Sequence, residues 1–447
     1  MKLVFHSALD ESRDSRILEG HPMSNDTPYR LHRRTLLTSA AILAASAAAG
    51  CAQRSLESHQ QTAAGSVEQN TTKRRGVGLR ALDPERASPG FTLFAPLIWG
   101  DGTVYLVDLH GNVVHTWTMP YPPGLSGYLT DRGTLFYNGR TSEQSFLSRF
   151  PFKGGVVLEA DWNGKILWEA RHPDHHHHGI LLRNGNALLN CMGRVPDDIA
   201  RRVKGGVEED TFPSGQYAPR SKGEAEKMYS DYLAEVTPSG QTVWEWRTWE
   251  HLDPEADGIT EVQAPRTLWA QGNSVFELPD GDILTSYRPT STVIRISRET
   301  GKILWKLGSP TVAGQHAPIL LANGNILIFD NGVHRLDDSM PFSRVIEVNP
   351  ATNEIAWKYQ DRPAWNFFSP RMGNAQRLPN GNTLVCESSF GRFFEVTNDG
   401  AIVWEYVNPF FGKPFFAGAP GTEGNLVFRA LRYSADEIAR AKATVRA

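Results

Sequence analysis

Residues 172–190 read HPDHHHHGILLRNGNALLN. Four histidines, His175 to His178, run into an apolar segment, an Asn184-Gly185-Asn186 turn and a second apolar segment. Asn-Gly turns between apolar strands are a strong local hairpin signal, because glycine and asparagine take positive φ at little steric cost. The phrase returns after Gln315-His316 as APILLANGNILIFDNG, and from Gln376 as QRLPNGNTLV with no histidine. Related turns stand at Arg132-Gly133 and Asp280-Gly281-Asp282. A repeated hairpin that carries histidines in only some copies predicts an active site grafted onto a repeat fold.

A second signature alternates with the first: an alternating strand, a polar turn, and a short strand ending in tryptophan. It closes at Trp117, Trp168, Trp244, Trp305, Trp357 and Trp404. The spacing, mostly about 50 residues, is that of propeller blades, and two hairpins make one four-stranded antiparallel blade. The hairpin ending at Trp117 has no Asn-Gly-Asn partner before it. The last unit, Glu423-Gly424-Asn425 followed by LVFRALRY, has no tryptophan hairpin after it. The expected fold is therefore all-β: a six-bladed β-propeller over residues 85–433, closed by pairing of N-terminal and C-terminal strands. Closure removes the exposed edges of an open array. The recurring tryptophans are expected to pack between neighbouring blades. Two repeats are stretched, at residues 191–231 and 246–269, and such loops are expected to crown one face and shape the mouth of the central channel. Residues 434–447 read as a short surface helix.

Composition narrows the class. The chain has 447 residues and a formal net charge of -3, with 46 basic and 49 acidic residues. That balance argues against a nucleic-acid partner. Three cysteines, Cys51, Cys191 and Cys386, exclude a disulfide scaffold. Residues 1–51 read as an export signal: Arg33-Arg34 precede an alanine-rich apolar run that ends Ala48-Ala49-Gly50-Cys51. The paired arginines resemble a twin-arginine signal, and the ending resembles a lipobox whose Cys51 is lipidated. An uncleaved membrane anchor is the alternative, and both place the body outside the cytoplasm, in the periplasm or at the cell surface. Membrane contact is expected through this N-terminal anchor only. The residues before Met23 are unlike a signal peptide, which makes Met23 a candidate start. Residues 52–84 read as a flexible tether. Cys191 and Cys386 sit in apolar segments and read as buried strand residues rather than a pair.

The chemistry is read from the repeat register. His177 stands eight residues before Gly185, and His316 eight before Gly324. Both are expected to face the channel from the same height. Asn273, Gly373 and Leu125 hold this position in other repeats. Side chains alternate along a strand, so His175 and His177 are expected on one side and His176 and His178 on the other. No HExxH or carboxylate-spaced ligand set accompanies them, and neither a metal nor a cofactor is expected. His334 and Arg335 follow Asp330-Asn331-Gly332, and Arg335 suits a bidentate anion. Tyr287 and Arg288 hold a similar place one blade earlier. Arg371, Asn374 and Gln376 open the next blade, and Arg194 follows the histidine-rich hairpin. With His175 and His178 these form the candidate binding set for a small aromatic or anionic substrate. A neutral imidazole is a nucleophile or base near pH 7, and arginine stabilises charge on transferring oxygens. Group transfer and proton abstraction in a lyase both fit. A binding propeller is the third reading, which loss of imidazole chemistry with shape retained would leave functional.

The stretches FTLFAPLIWGDGTVYLVDLHGNVVHTW, QHAPILLANGNILIFDNG, RLPNGNTLV, GRFFEVTNDGAIVWEY and NLVFRALRY resemble the bacterial arylsulfotransferase-like family of exported six-bladed propellers. The resemblance spans about residues 91–433. It implies an aryl-sulfate sulfotransferase that moves a sulfuryl group between phenols through a sulfated histidine, without a nucleotide donor. Carried over by motif, His177 and His316 are supporting channel histidines and Arg335 is the anion-binding arginine, with His334 beside it. Two departures stand out. The family's nucleophile is expected near Gly373 to Gln376, yet no histidine follows His334. Nor do residues 52–90 leave room for the N-terminal β-sandwich of the founding enzymes. Either His177 has taken the nucleophile's role, or the chain is a divergent branch with other chemistry, such as a lyase or a metal-dependent enzyme.

Overall fold

In the computed structural model, strand β1 (Gly78–Leu82) is followed by β2 (Phe91–Pro96), β3 (Thr103–Val107) and β4 (Val113–Thr118). The structure describes residues 67–208, 227–335, 338–414 and 421–446. Five complete four-stranded meanders come next. The first two are β5–β8 (Pro123–Leu129, Leu135–Arg140, Gly155–Ala160, Ile166–Arg171) and β9–β12 (His175–Leu181, Ala187–Arg194, Tyr229–Val236, Thr242–Arg247). Then follow β13–β16 (Gly272–Glu277, Ile283–Tyr287, Thr292–Ile296, Ile303–Leu307) and β17–β20 (His316–Leu320, Ile326–Asp330, Arg344–Val348, Ile355–Tyr359). The last full set is β21–β24 (Asn374–Arg377, Thr383–Glu387, Arg392–Val396, Ile402–Val407), and β25 (Val427–Tyr433) stands alone.

These make six antiparallel sheets. The lone β25 pairs with β2, Phe91 opposite Tyr433 and Leu93 opposite Leu431, and so becomes the innermost strand of the blade β25-β2-β3-β4. The ring is a six-bladed propeller closed by its two ends. One expected boundary is corrected. Gly78–Leu82, within the stretch read as tether, is a fifth strand on β24. The overall polarity of residues 52–84 masked it, but Leu79, Ala81 and Leu82 are apolar, and Arg74 and Arg80 pair with buried Glu405. The export signal, Cys51 and Met23 lie outside the described residues.

The two sequence signatures have separate jobs. In the Asn-Gly-Asn turns, Asn184 Oδ1 accepts the Asn186 N–H, and both side-chain amides donate to Glu235 Oε1 on the third strand of the same blade. Asn323 and Asn325 do the same with Glu347. The tryptophans stitch blades together. The indole N–H of Trp117 donates to the Asp161 carbonyl, Trp357 to Asn398 and Trp404 to Leu109, each across to the outer hairpin turn of the next blade. In the blade β9–β12 that bond comes from Trp246 to Gly301 rather than from Trp244. Buried tryptophan needs such a partner for its N–H. Cys191 and Cys386 are buried and unpaired with one another.

Outside the closing blade, whose inner strand β25 leads into the C-terminal helix, each innermost strand begins at a crossover from the previous blade and ends at its Asn-Gly-type turn. The crossovers and the second-to-third-strand loops therefore share one face. Both stretched repeats fall there. They pack on one another through bridges of Gly205 to Ile259 and Val207 to Pro265, and Trp269 donates to the Asp257 carbonyl across 2.7 Å. A short helix, α1 (Asp197–Ala200), lies in the first of them. At the C-terminus, α2 (Ala435–Ala443) is capped by Ser434 and Glu437 in a reciprocal box and buries Ile438 and Ala441.

Candidate active site

The inner strands do not run smoothly to the crossover face. Register breaks lie between Pro123 and Gly127, between Gly272 and Ser274, and between His316 and Ile319. The partner of the histidine strand breaks register between Leu189 and Cys191. Bulges of this kind re-aim side chains. Left-handed backbone appears at the same level in residues other than glycine: Leu125 (φ 122°), His177 (φ 51°), Ala317 (φ 49°) and Met372 (φ 62°). Such conformations cost on the order of 1 kcal/mol each and gather at functional sites.

Leu125, His177 and Met372 of these line one cavity, whose wall also includes His316, Asn273, Arg288 and Arg371. His177 and the last four were expected from the sequence. Leu125 holds the register position of its own repeat, whereas the rest of the wall was not expected: Phe152 and Pro151 from the loop before β7, Gln271 from the crossover into β13, and Met372. His177 and His316 are not backbone equivalents, however. The left-handed residue is His177 itself in one blade and Ala317, one position later, in the other.

The histidine run also departs from strict alternation. Because the chain turns left-handed at His177, the rings of His176 and His177 meet, Nδ1 to Nδ1, at 2.6 Å. His176 Nε2 lies 3.1 Å from Asp231 Oδ1, with both side chains fully buried. His177 is 8% exposed, stacks on Phe152 with centroids 4.6 Å apart, and leaves Nε2 without a hydrogen-bond partner among the described residues. Burial, then the charges of His176, His316, Arg429 and Arg288, hold His177 well below the usual histidine range. His175 turns away from the cavity and accepts the Gly155 N–H at Nδ1. His178 accepts the Val275 N–H at Nδ1 and sets Nε2 2.8 Å from Arg429 Nη1. The four rings therefore serve four different neighbours. Among the described residues, no group of three or more His, Cys, Asp or Glu converges as a metal site would require.

His316 is fully engaged. Its Nδ1 faces Asn331 Oδ1 at 2.8 Å and the Gly314 carbonyl at 3.2 Å, and its Nε2 accepts the Met372 N–H at 3.1 Å. Burial, then the charge of Arg288, push it down to about 3. This accounts for much of the Gln-His to Phe-Asp-Asn-Gly phrase. Gln315 donates to Ser286, Tyr287 and Thr292, Asp330 receives the Ala313 N–H, and Asn331 orients His316.

Several expected residues stand elsewhere. Arg335 is not in the cavity wall. It donates to Asp330 Oδ2 at 2.8 Å, lies over the Phe342 ring, and shares Asp330 with Arg344. A buried carboxylate five residues earlier claims the guanidinium. His334 lies 3.9 Å from Glu261, the carboxylate that also pairs with Arg288. Arg194 is exposed and pairs with Asp197. Tyr287 is buried in the core between blades. Asn374 clasps the backbone of Ala430 with both side-chain atoms, and Gln376 does the same for Arg432, which fastens β25 to β21.

The sequence reading missed two charged groups. Asp231 sits on β11 and is pinned by its backbone to Ala270 and by Thr248. Burial raises its carboxyl, while His176, the Gly272 N–H and Asn190 pull it back. Arg429, on β25, is buried against Phe428 and Phe276. It donates to the Asn273 carbonyl and has no carboxylate partner among the described residues. Burial lowers it to about 9. A charge amid the apolar run LVFRALRY was the one available signal for Arg429.

Residues 216–409 match the family model described as arylsulfotransferase (ASST). The matched segment carries Asp231, Arg288, His316, Asn331 and Arg371, and His177 precedes it. No curated protein matches the chain. Among solved structures, a Bacteroides caccae protein of unknown function is 14% identical, with 77% of this chain and 99% of that one covered and a TM-score of 0.46. A streptogramin B lyase is 13% identical over 80% of this chain and 93% of that one, with a TM-score of 0.41. A catalytically inactive virginiamycin B lyase from Staphylococcus aureus, with quinupristin, is 12% identical over 64% and 70%, with a TM-score of 0.35. The family match runs across the outer half of one blade and the three that follow, and over that segment the chain is similar to the arylsulfotransferase family.

Proposed function

We propose that the protein transfers a sulfuryl group from an aryl sulfate to a phenol by way of His177. The observation that carries this reading is an imidazole nitrogen, His177 Nε2, without a hydrogen-bond partner among the described residues, in the wall of a cavity that Arg288 and Arg371 also line. The buried cation Arg429 adds to the positive field felt by His177 and His316. An anionic sulfate ester suits that field, and Leu125, Pro151, Phe152 and Met372 offer an apolar wall to its aromatic ring.

In the first half-reaction the Nε2 lone pair forms an N–S bond as the S–O(aryl) bond breaks, and the electron pair leaves on the phenolate oxygen. Arg288 and Arg371 stabilise the sulfuryl oxygens, on which charge is concentrated. In the second half-reaction an acceptor phenol gives up its proton to solvent and its oxygen bonds to sulfur. The N–S pair then returns to Nε2. His316 has both nitrogens committed and serves as a fixed part of the wall. Export and lipidation at Cys51 complete the proposal, resting on the arginine pair and the Ala-Gly-Cys ending of residues 33–51.

The test incubates purified protein with a chromogenic aryl sulfate, with and without phenol, and measures intact mass at early times. The reading expects coloured phenol release that rises with acceptor. It also expects a mass gain of one SO3 unit that phenol removes and that is absent in His177→Gln. Folded protein that gives neither release nor adduct would sink it for this donor class.

A further inference from the structure

We propose that Asp231 and His176 set the protonation of His177, so that its cavity-facing Nε2 carries a lone pair and its Nδ1 carries the proton. The use made of that lone pair rests on the transfer reading above; the protonation pattern itself does not.

The buried groups form a chain of donors and acceptors. His176 Nε2 lies 3.1 Å from Asp231 Oδ1 inside a fully buried pair. Two bare acceptors cannot face each other there without water, so a proton sits between them. The other carboxylate oxygen is already held. Asn190 Nδ2 lies 3.4 Å from Oδ2, and Gly272 brings its backbone so close that a Cβ would stand 2.2 Å from that atom. A carboxylate that receives donors at both oxygens is favoured in its ionised form. The shared proton therefore belongs to His176 Nε2. A neutral imidazole has one N–H, so His176 Nδ1 is an acceptor. Across the 2.6 Å contact, His177 Nδ1 must then be the donor, which leaves Nε2 bare. Each orienting group fixes the tautomer of the next, as a carboxylate does for an active-site histidine elsewhere.

The arrangement also handles the charge of transfer. When Nε2 bonds to sulfur the His177 ring becomes cationic. Its Nδ1 proton then passes to His176 Nδ1, which leaves an N-sulfo imidazole with a neutral ring and its negative charge on the sulfuryl oxygens, and a His176 imidazolium beside the Asp231 carboxylate. The proton returns when the sulfuryl group departs. The relay itself needs no other proton or electron; the acceptor phenol loses its own proton to solvent. His176 and Asp231 touch no substrate in this scheme and are positioning residues.

Two-bond 15N–1H correlation on histidine-labelled full-length protein separates protonated from bare ring nitrogens. The wild type is expected to show a bare Nε2 and protonated Nδ1 at His177, and a protonated Nε2 at His176. In Asp231→Asn the amide oxygen keeps the Gly272 and Asn190 donors, so the amide N–H faces His176. Both rings are then expected to flip, with aryl-sulfate kcat falling about 10³-fold and KM little changed. A wild-type spectrum with His177 protonated at Nε2 overturns the proposal, whether or not the variant folds. So does a folded Asp231→Asn protein with unflipped rings. A correct spectrum without sulfuryl transfer leaves the relay standing and removes the transfer reading. Transfer with the opposite spectrum does the reverse.

Discussion

His316 donates from Nδ1 to Asn331 Oδ1 across 2.8 Å, and Asn331 is turned to receive it because its amide nitrogen donates to the Ser369 and Met372 carbonyls. The histidine of one motif is thus held by the asparagine of the same phrase, and both are tied to the next crossover. Asn331→Leu removes three buried hydrogen bonds and leaves the Met372 carbonyl without its donor, while Ser369 keeps only the longer bond from Ser343. It is expected to destabilise the protein by about 2–4 kcal/mol and to lower turnover of the remaining folded molecules. Urea unfolding with a parallel assay checks this, and a variant of wild-type stability would contradict it.

The two arginine environments make opposite predictions. Arg371 lines the cavity, whereas Arg335 lies buried between Asp330 and Phe342. Arg371→Gln is expected to raise KM for an aryl sulfate about tenfold or more, the loss of one charged contact to an anion. Arg335→Gln leaves Asp330 with Arg344 as its one cationic partner among the described residues, so it is expected to cost about 3 kcal/mol of stability. Its kcat/KM per folded molecule should stay within about twofold, since nothing at the cavity changes. Reversal of this pattern would return Arg335 to the site.

How far the sequence could be read follows from these cases. The ring was legible because its turns and tryptophans repeat, and each repeat has a local cause: an Asn-Gly-Asn turn clamped to a glutamate, and an indole bonded to the next blade. The register also selected His177, His316 and Asn273, which do meet in one wall. It could not show that Asp330 captures Arg335, because spacing says nothing about which cation a buried carboxylate takes. Strict alternation failed at His176 and His177 because a φ of 51° interrupts the pleat. Asp231 and Arg429 reach the histidines from 55 and 251 residues away in sequence. Only the closed ring brings them there.

Acid should act through the buried imidazoles. His175 is fully enclosed, and burial, followed by the charges of His176 and His172, holds it well below its ordinary 6.5. The unfolded chain protonates this residue as pH falls through about 6.5, while the folded chain keeps it neutral. The unfolded state then binds more protons, and stability falls with falling pH at about 1.4 kcal/mol per unit. The carboxyls of Asp231, Asp361 and Glu387, raised by burial, act in the opposite sense. A comparison with His175→Gln separates the two. Between about pH 6.5 and 5 the stability difference should move toward the variant by about that slope. A difference that does not change with pH, measured by urea midpoints, would show that His175 is protonated in the folded state.

The C-terminal strand should be the least dispensable segment of its length. Strand β25 is the inner strand of the closing blade, and it buries Val427, Phe428 and Ala430 completely. Each large apolar side chain there is worth about 1.5–3 kcal/mol. The strand also fastens to the neighbouring blade through Asn374 and Gln376 and carries Arg429 to His178. Ending the chain after Leu426 therefore removes core and opens the edge of β2. That truncation is expected to yield no folded protein. Ending it after Tyr433 keeps the ring and removes α2, whose buried contacts are Ile438 and Ala441. That loss is expected to cost about 2–4 kcal/mol, the range for burying one large and one small apolar side chain together with a capped helix end. The comparison is made by soluble yield and thermal unfolding of the two truncations. Equal stability of the two would mean that closure of the ring contributes nothing, against the pairing of β25 with β2.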